Sequence, residues 1–288
     1  MNQTDIVRLA LPKGRMQEGV FQLFGDAGLK IRVDERGYRP VVSMDGFDAK
    51  ILKPQNIVGM LHAGARDIGF AGADWVGELG AELVELMDTT LDPVRIVAAA
   101  PESLLVDGHL PARPLVVASE YEQLTRRWIA KRGLDATFLR SWGATEVLPP
   151  EDADVIVDNA ATGSTLRANH LAIVEELMTS STRLFANPHA MDNPVRRQRI
   201  EDLVVLLRSV IEARNRVILE VNVGAADLER LIAVLPCMRQ PTIARLHGED
   251  AYAVKAAVPR KDLPTLIPLL RASGGSDILV ARLAQIVP

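Results

Sequence analysis

Residues 158–171, DNAATGSTLRANHL, set a carboxylate at the end of the apolar run DVIVD, with the hydroxyl-rich turn Thr162-Gly163-Ser164-Thr165 four residues later. Strand, loop and helix start is an arrangement that suits a phosphate. Backbone N–H groups at a helix N-terminus point outward and carry partial positive charge. Gly163 permits close backbone approach, and the three hydroxyls can donate to phosphate oxygens. Asp158, at a strand's carboxyl end where open α/β folds place ligands, can accept from sugar hydroxyls. The same fragment also reads as an ordinary capped turn, since Thr and Ser cap helices and Gly makes turns, and taken alone it divides evenly between the two. Lys13-Gly14-Arg15 is a second candidate turn between strand and helix, this one cationic, where Arg15 can grip a phosphate bidentately; alone, a solvated charged turn is its simpler account. RDIGFAGADW supplies Asp67 and Asp74 around Gly69 and Gly72, and a strand followed by a capped helix explains them equally well.

EDADVIVD packs Glu151, Asp152, Asp154 and Asp158 into eight residues. Such an oxygen-rich set is conceivable for magnesium, which often bridges to substrate phosphates, although a solvated acidic loop accounts for Glu151 and Asp152. The histidines at 62, 109, 170, 189 and 247 show no metal-ligand spacing. Neither a Ser-His-Asp nor a Cys-His arrangement can be assembled, and there is no GxGxxG or Walker loop, so nicotinamide and P-loop chemistries are not indicated.

These groups need elements to hold them, and the chain alternates strand-like and helix-like segments from its start. IVRLAL reads as a strand, and Met16, Val20, Leu23, Phe24 and Ala27 recur at helical spacing before Gly28. FDAKILK, DIGFAG, VRIVAAA, LVVAS, TFLRSW and DVIVD read as further strands, with a new set beginning near Pro93. Asp74 is placed to cap one helix, and Ser119 with Glu122 form a capping box for another that Gly133 ends. Asn193-Pro194 should open the longest helix, running to about Asn215. This alternation predicts α/β layers with mostly parallel sheets. After residue 215 the order becomes βαββαβ, that of a ferredoxin-like unit.

The totals set bounds. A chain of 288 residues predicts two or three domains. Apolar content of 48% with 24% charged residues fits a folded, soluble chain. A formal charge of −4 without a dense basic run argues against long nucleic acid as a partner. Cys237 alone cannot form an intramolecular disulfide or a cysteine cage. No secretory signal or span-length apolar segment is visible, so the expected setting is cytoplasmic, without membrane.

Taken in order, LALPKGRM, DIGFAGADWVGE, LTRRW with GATE, DVIVDNAATGSTLRAN, LPCMRQPTIARL and SDILVARLAQIVP resemble the motifs of the ATP phosphoribosyltransferase family in its long form. The resemblance implies a two-lobed, periplasmic-binding-protein-like α/β core followed by a C-terminal ferredoxin-like domain. Lobe I would comprise 1–92 and 187–214, lobe II 93–186, and the regulatory domain 215–288. It implies transfer of a phosphoribosyl group from phosphoribosyl diphosphate to N1 of ATP's adenine, with magnesium pyrophosphate leaving. Feedback inhibition by L-histidine and a homo-oligomer, a hexamer with dimers, would accompany this. Carried onto this chain, Arg15, Glu146 and Asp158 become the catalytic residues. Lys13, Asp74, Thr162, Gly163, Ser164, Thr165 and Leu166 bind substrate, and Asn222, Thr242 and Asp277 bind histidine, with no firm protein ligand for Mg2+. A non-catalytic ligand-binding paralogue with the same fold is the alternative. The chain departs from the family pattern at Asn159, Glu120, Glu122, Lys53, Asn56 and Asn222. The last stands where an acid is usual, which implies weaker histidine inhibition.

Overall fold

Val7, Leu9, Ala10 and Leu11 are fully buried in the first strand, β1 (Val7–Pro12), the burial pattern of a strand covered on both faces. The computed structural model describes residues 5–33 and 37–287. After β1 come α1 (Arg15–Asp26), β2 (Ile31–Arg32), β3 (Val41–Val42), β4 (Phe47–Leu52), α2 (Pro54–His62), β5 (Ile68–Gly72) and α3 (Ala73–Leu79). They are followed by β6 (Val84–Pro101), β7 (Leu115–Ser119), α4 (Glu122–Arg132), β8 (Ala136–Arg140), β9 (Val155–Ala160), α5 (Ser164–Ala168), β10 (Leu171–Ala186) and α6 (Pro194–Asn215). In α1 the helical spacing works as expected: Val20, Leu23 and Phe24 are buried, and Phe24 meets Phe70 of β5 edge-on at 5.9 Å between centroids.

Eight strands form one sheet in the order β4-β1-β5-β10-β6-β9-β7-β8. Its flanks are parallel, β4-β1-β5 on one side and β9-β7-β8 on the other, as the alternating pattern requires. The sheet is mostly parallel, as expected, but its centre is not. There β10 runs antiparallel to both β5 and β6, and β6 antiparallel to β9. Two long strands, β6 of 18 residues and β10 of 16, pair antiparallel along the middle of the sheet. Pro93 does not begin a new strand. It lies within β6 where the register jumps from Leu91 opposite Thr182 to Val94 opposite Ser180, so its missing N–H falls in a bulge. Side chains tie this bulge down: the Thr89 hydroxyl donates to the Thr182 carbonyl, and the Thr182 hydroxyl donates to Asp92 at 2.8 Å. Asp88 accepts from the Thr90 N–H and the Ser181 hydroxyl at 2.7 and 2.8 Å.

The chain divides into two units, one holding residues up to Gly25 with Leu29–Asp202, the other Asp26–Gly28 with Leu203 onward. The second contains β11 (Arg216–Gly224), α7 (Leu228–Ala233), β12 (Thr242–Arg245), β13 (Ala251–Pro259), α8 (Leu263–Ala272) and β14 (Gly275–Arg282). Its sheet is antiparallel in the order β12-β13-β11-β14, the ferredoxin-like arrangement that βαββαβ predicts. Val217, Leu219, Val221 and Val223 alternate onto the covered face, where Leu231, Leu266 and Leu270 of the helices pack on them. Asn193 accepts from the N–H groups of Val195 and Arg196, the expected cap of α6. Among the described residues no helix is long and apolar enough to cross a membrane.

Candidate active site

β9 delivers the loop that the sequence singled out. Val155, Ile156 and Val157 anchor the strand in the core, and the chain leaves it at Ala160. Gly163 then takes φ +72°, a left-handed conformation that turns the chain into α5 and that most side chains resist. A Cβ there would also lie 3.2 Å from Nη1 of Arg167, which donates to the Thr162 carbonyl at 3.1 Å. The Thr162 hydroxyl donates to Ser164 Oγ at 3.0 Å, drawing the hydroxyls together, while Thr162, Ser164 and Thr165 stay exposed. Leu166 is buried and pins the first turn of α5 to the core beside Ala160 and Leu171. Gly163 has no side chain with which to cap α5; the Ser164 N–H donates to the Thr162 hydroxyl at 3.4 Å.

These residues line a cavity of about 250 Å³ together with Arg15, Glu146, Asp158, Asn159, Ala160 and Ala161. Arg15 comes from the start of α1, and Glu146 from a 3-10 turn (Thr145–Val147) that follows β8. Asp158 is held above its ordinary value, at about 6. Burial is the main cause, the Asn159 N–H opposes it at 2.7 Å, and the nearby carboxylates of Glu146 and Glu120 raise it further. Asn159 also donates from its side-chain amide to the same oxygen at 3.2 Å, so this departure from the family pattern orients the signature aspartate. One arginine, two carboxylates, three hydroxyls and a helix start facing one cavity can bind a phosphate and hydrogen-bond a sugar.

Two of the proposed substrate contacts lie outside the cavity. Lys13 is exposed, with Nζ 3.1 Å from the Tyr38 hydroxyl and 4.9 Å from that ring's centroid. Asp74 is 4% exposed, and its carboxylate accepts from Tyr121 at 2.8 Å and from Ser180 at 2.7 Å. Gly72 is required beside it, because a Cβ there would stand 2.0 Å from Asp74 Oδ1. Asp74 thus joins α3, β10 and the chain before α4. The Tyr121 hydroxyl is held well above its ordinary value by burial and by Asp74. The expected capping box of α4 also does not form. Ser119 accepts from the Tyr121 N–H and donates to the Val157 carbonyl, while Glu122 binds Arg126 and Arg140.

In the second unit, Asn222 and Asp277 meet on neighbouring strands, the Asn222 amide donating to Asp277 Oδ2 at 3.1 Å. Thr242 lies on edge strand β12, opposite Lys255 of β13, which in turn faces Glu220. It shares Asn222's uncovered face of the sheet but stands two strands away.

The family model described as "HisG: ATP phosphoribosyltransferase" matches residues 53–209, and that described as "HisG, C-terminal domain" matches residues 213–285. The chain belongs to the ATP phosphoribosyltransferase family. An ATP phosphoribosyltransferase of Chlorobaculum parvum is 38% identical over 282 residues, covering 96% of each chain. One from Chlorobium chlorochromatii is 35% identical over 291 residues and 99% of each. Among solved structures, the ATP phosphoribosyl transferase (HisG:HisZ) complex from Thermotoga maritima superposes with a TM-score of 0.64 at 25% identity. It covers 72% of this chain and 99% of its own. Membership in the ATP phosphoribosyltransferase family makes this chain a phosphoribosyltransferase of histidine biosynthesis, and its two-lobed core with a ferredoxin-like C-terminal domain is the architecture expected of the long form.

Proposed function

We propose that the chain transfers the phosphoribosyl group of phosphoribosyl diphosphate to N1 of ATP's adenine and releases pyrophosphate, in a cytoplasmic setting. The observation that carries this reading is the single cavity shared by Arg15, Glu146, Asp158 and Thr162–Thr165. Adenine N1 brings its own lone pair, so no strong base is needed to make the nucleophile. The work is positioning, together with stabilising an oxocarbenium-like carbon and a departing polyanion. The hydroxyls and N–H groups from Thr162 to Thr165 hold the 5′-phosphate. Asp158 accepts from the ribose hydroxyls, Glu146 faces the reacting groups, and Arg15 binds phosphate. At about 250 Å³ the cavity takes a phosphoribosyl-sized group but not both substrates, so ATP approaches along the open rim.

Magnesium fits the donor set. Asp158 and Glu146 offer hard oxygen ligands, and among the described residues no cluster of three or more His, Cys, Asp or Glu side chains is arranged to hold a metal alone. The ion would arrive on substrate phosphates and neutralise the leaving pyrophosphate. We extend the reading to lobes at 1–92 with 187–214 and at 93–186, to a regulatory domain at 215–288, and to a hexamer built from dimers. L-histidine would bind at Asn222 and Asp277, with Thr242 on the same face. The test is Thr165→Val with Gly163→Val, assayed for phosphoribosyl-ATP from ATP, phosphoribosyl diphosphate and magnesium. Turnover should fall at least about a hundredfold; undiminished turnover sinks the assignment. A native chain that binds both substrates without making product would be the non-catalytic paralogue.

A further inference from the structure

Over the outer strand β8, four side chains from α4, β8 and the loop after β8 lie against one another in order. The Arg126 guanidinium is 5.1 Å from the Phe138 ring centroid, that of Arg140 is 5.5 Å from the same ring, and Arg140 is 5.3 Å from the Trp142 ring. Glu122 binds both arginines, and the Glu120 carbonyl accepts a further bond from Arg140 at 2.6 Å, so the cations are fixed. The Glu122 carboxylate is held below its ordinary value by these partners, first by Arg126. At the end of this column, Trp142 is 86% exposed, the most exposed of the large hydrophobic side chains described. A tryptophan that the fold stacks on one side and leaves in water on the other is a built platform without its last layer.

The platform is four residues along the chain from a side chain that lines the cavity. Gly143 and Ala144 follow it at φ +88° and +50°, a sharp turn that Ser141 and Thr145 close with a 2.8 Å hydroxyl contact. Glu146, four residues on, lines the cavity, so its Cα lies within about 14 Å of that of Trp142. Glu120, whose carboxylate approaches Gly143 to within 3.8 Å of a built Cβ, acts electrostatically on Asp158.

We infer that Trp142 is the adenine platform of this enzyme: ATP's purine stacks on its exposed ring, with Arg140 fixing the indole from below. The inference rests on the reading above, deepening it to the means by which the base is held. Every base offers a π-face, so stacking on the fixed ring supplies affinity. Trp142 is a binding residue here, and Arg140 and Glu122 are positioning residues.

The experiment uses the full chain. Of its three tryptophans, Trp128 is buried and Trp75 half-buried, so ATP added without co-substrate should quench mainly the emission of Trp142. Inorganic tripolyphosphate, which has the charge but no base, should not. Trp142→Ala should abolish the quench and raise KM for ATP about tenfold, with KM for phosphoribosyl diphosphate and kcat at saturating ATP moving far less. Trp142→Phe should keep KM for ATP within about threefold of native, because it preserves a ring. Unchanged KM for ATP in Trp142→Ala overturns the inference, as does equal quenching by tripolyphosphate. A lower oligomer mass in Trp142→Ala with KM for ATP unmoved would assign the ring to a subunit contact and overturn it as well. If the native chain forms no product but ATP alone quenches, the stack stands and the catalytic reading falls.

Discussion

Asp158 sets folding against chemistry within one side chain. Its ordinary value of 3.8 rises to about 6 in the fold. Between those values the folded chain binds more protons than the unfolded one, so stability falls as pH rises through this window and levels off above it. Asp158→Asn removes the buried charge while keeping the shape. The variant should therefore melt above the native chain at pH 8, with the gap closing toward pH 4, as calorimetry would read. Product formation should fall about tenfold or more, for want of an ionised acceptor. A lower midpoint at pH 8 would mean that a partner compensates the carboxylate. Asp74 is the opposite case, fully engaged by Tyr121 and Ser180. Tyr121→Phe should cost about 1–3 kcal/mol in urea unfolding and leave KM for phosphoribosyl diphosphate near native. The sequence made Asp158 legible because a carboxylate ends an apolar run before a turn. It could not tell Asp74 from a ligand contact, because its partners lie 47 and 106 residues away.

At the centre of the large sheet, the β6–β10 pair carries its strain openly. Thr90 and Asp92 sit at φ +58° and +48° inside a strand, and a β-branched residue tolerates that region poorly. Asparagine accepts it, and the Thr90 side chain is exposed. Thr90→Asn should raise the unfolding free energy by about 1 kcal/mol, read as a higher denaturant midpoint at an unchanged slope. A lower midpoint would show that the strand pair uses the threonine methyl. Individual strands were readable from apolar runs, and α6 from its cap and its period. The continuity of β6 was not, because Pro93 looks like punctuation until β10, eighty residues on, supplies the register that bulges around it. The capping box failed for a related reason: Glu122 finds two arginines, which outcompete a backbone N–H. The aromatic column did leave a trace. Phe138, Arg140 and Trp142 alternate in FLRSW, the period of one face of a strand.

In the second unit, the proposed histidine site rests on the Asn222–Asp277 pair. Asn222→Asp would set two carboxylates about 3 Å apart and lower the melting temperature of the unliganded protein. An ammonium group should relieve that repulsion, so L-histidine should stabilise this variant more than the native chain and inhibit it at lower concentration. Thermal shift and inhibition curves would check both, and equal shifts would move the histidine site away from this pair. The ferredoxin-like order was legible because its six elements follow without insertion. The antiparallel centre of the large sheet was not, since it depends on which strand lies between β5 and β6. That strand, β10, also has a consequence for synthesis on the ribosome. Its neighbours β5 and β6 are complete by residue 101, but their shared partner does not finish until residue 186. At about 5–20 residues per second, the β5 and β6 edges that β10 will cover stay unpaired for roughly 4–17 s. During that interval, rather than in the finished enzyme, β5 and β6 are open to pairing with a wrong strand, and a chaperone that shields strand edges would have its largest effect on yield.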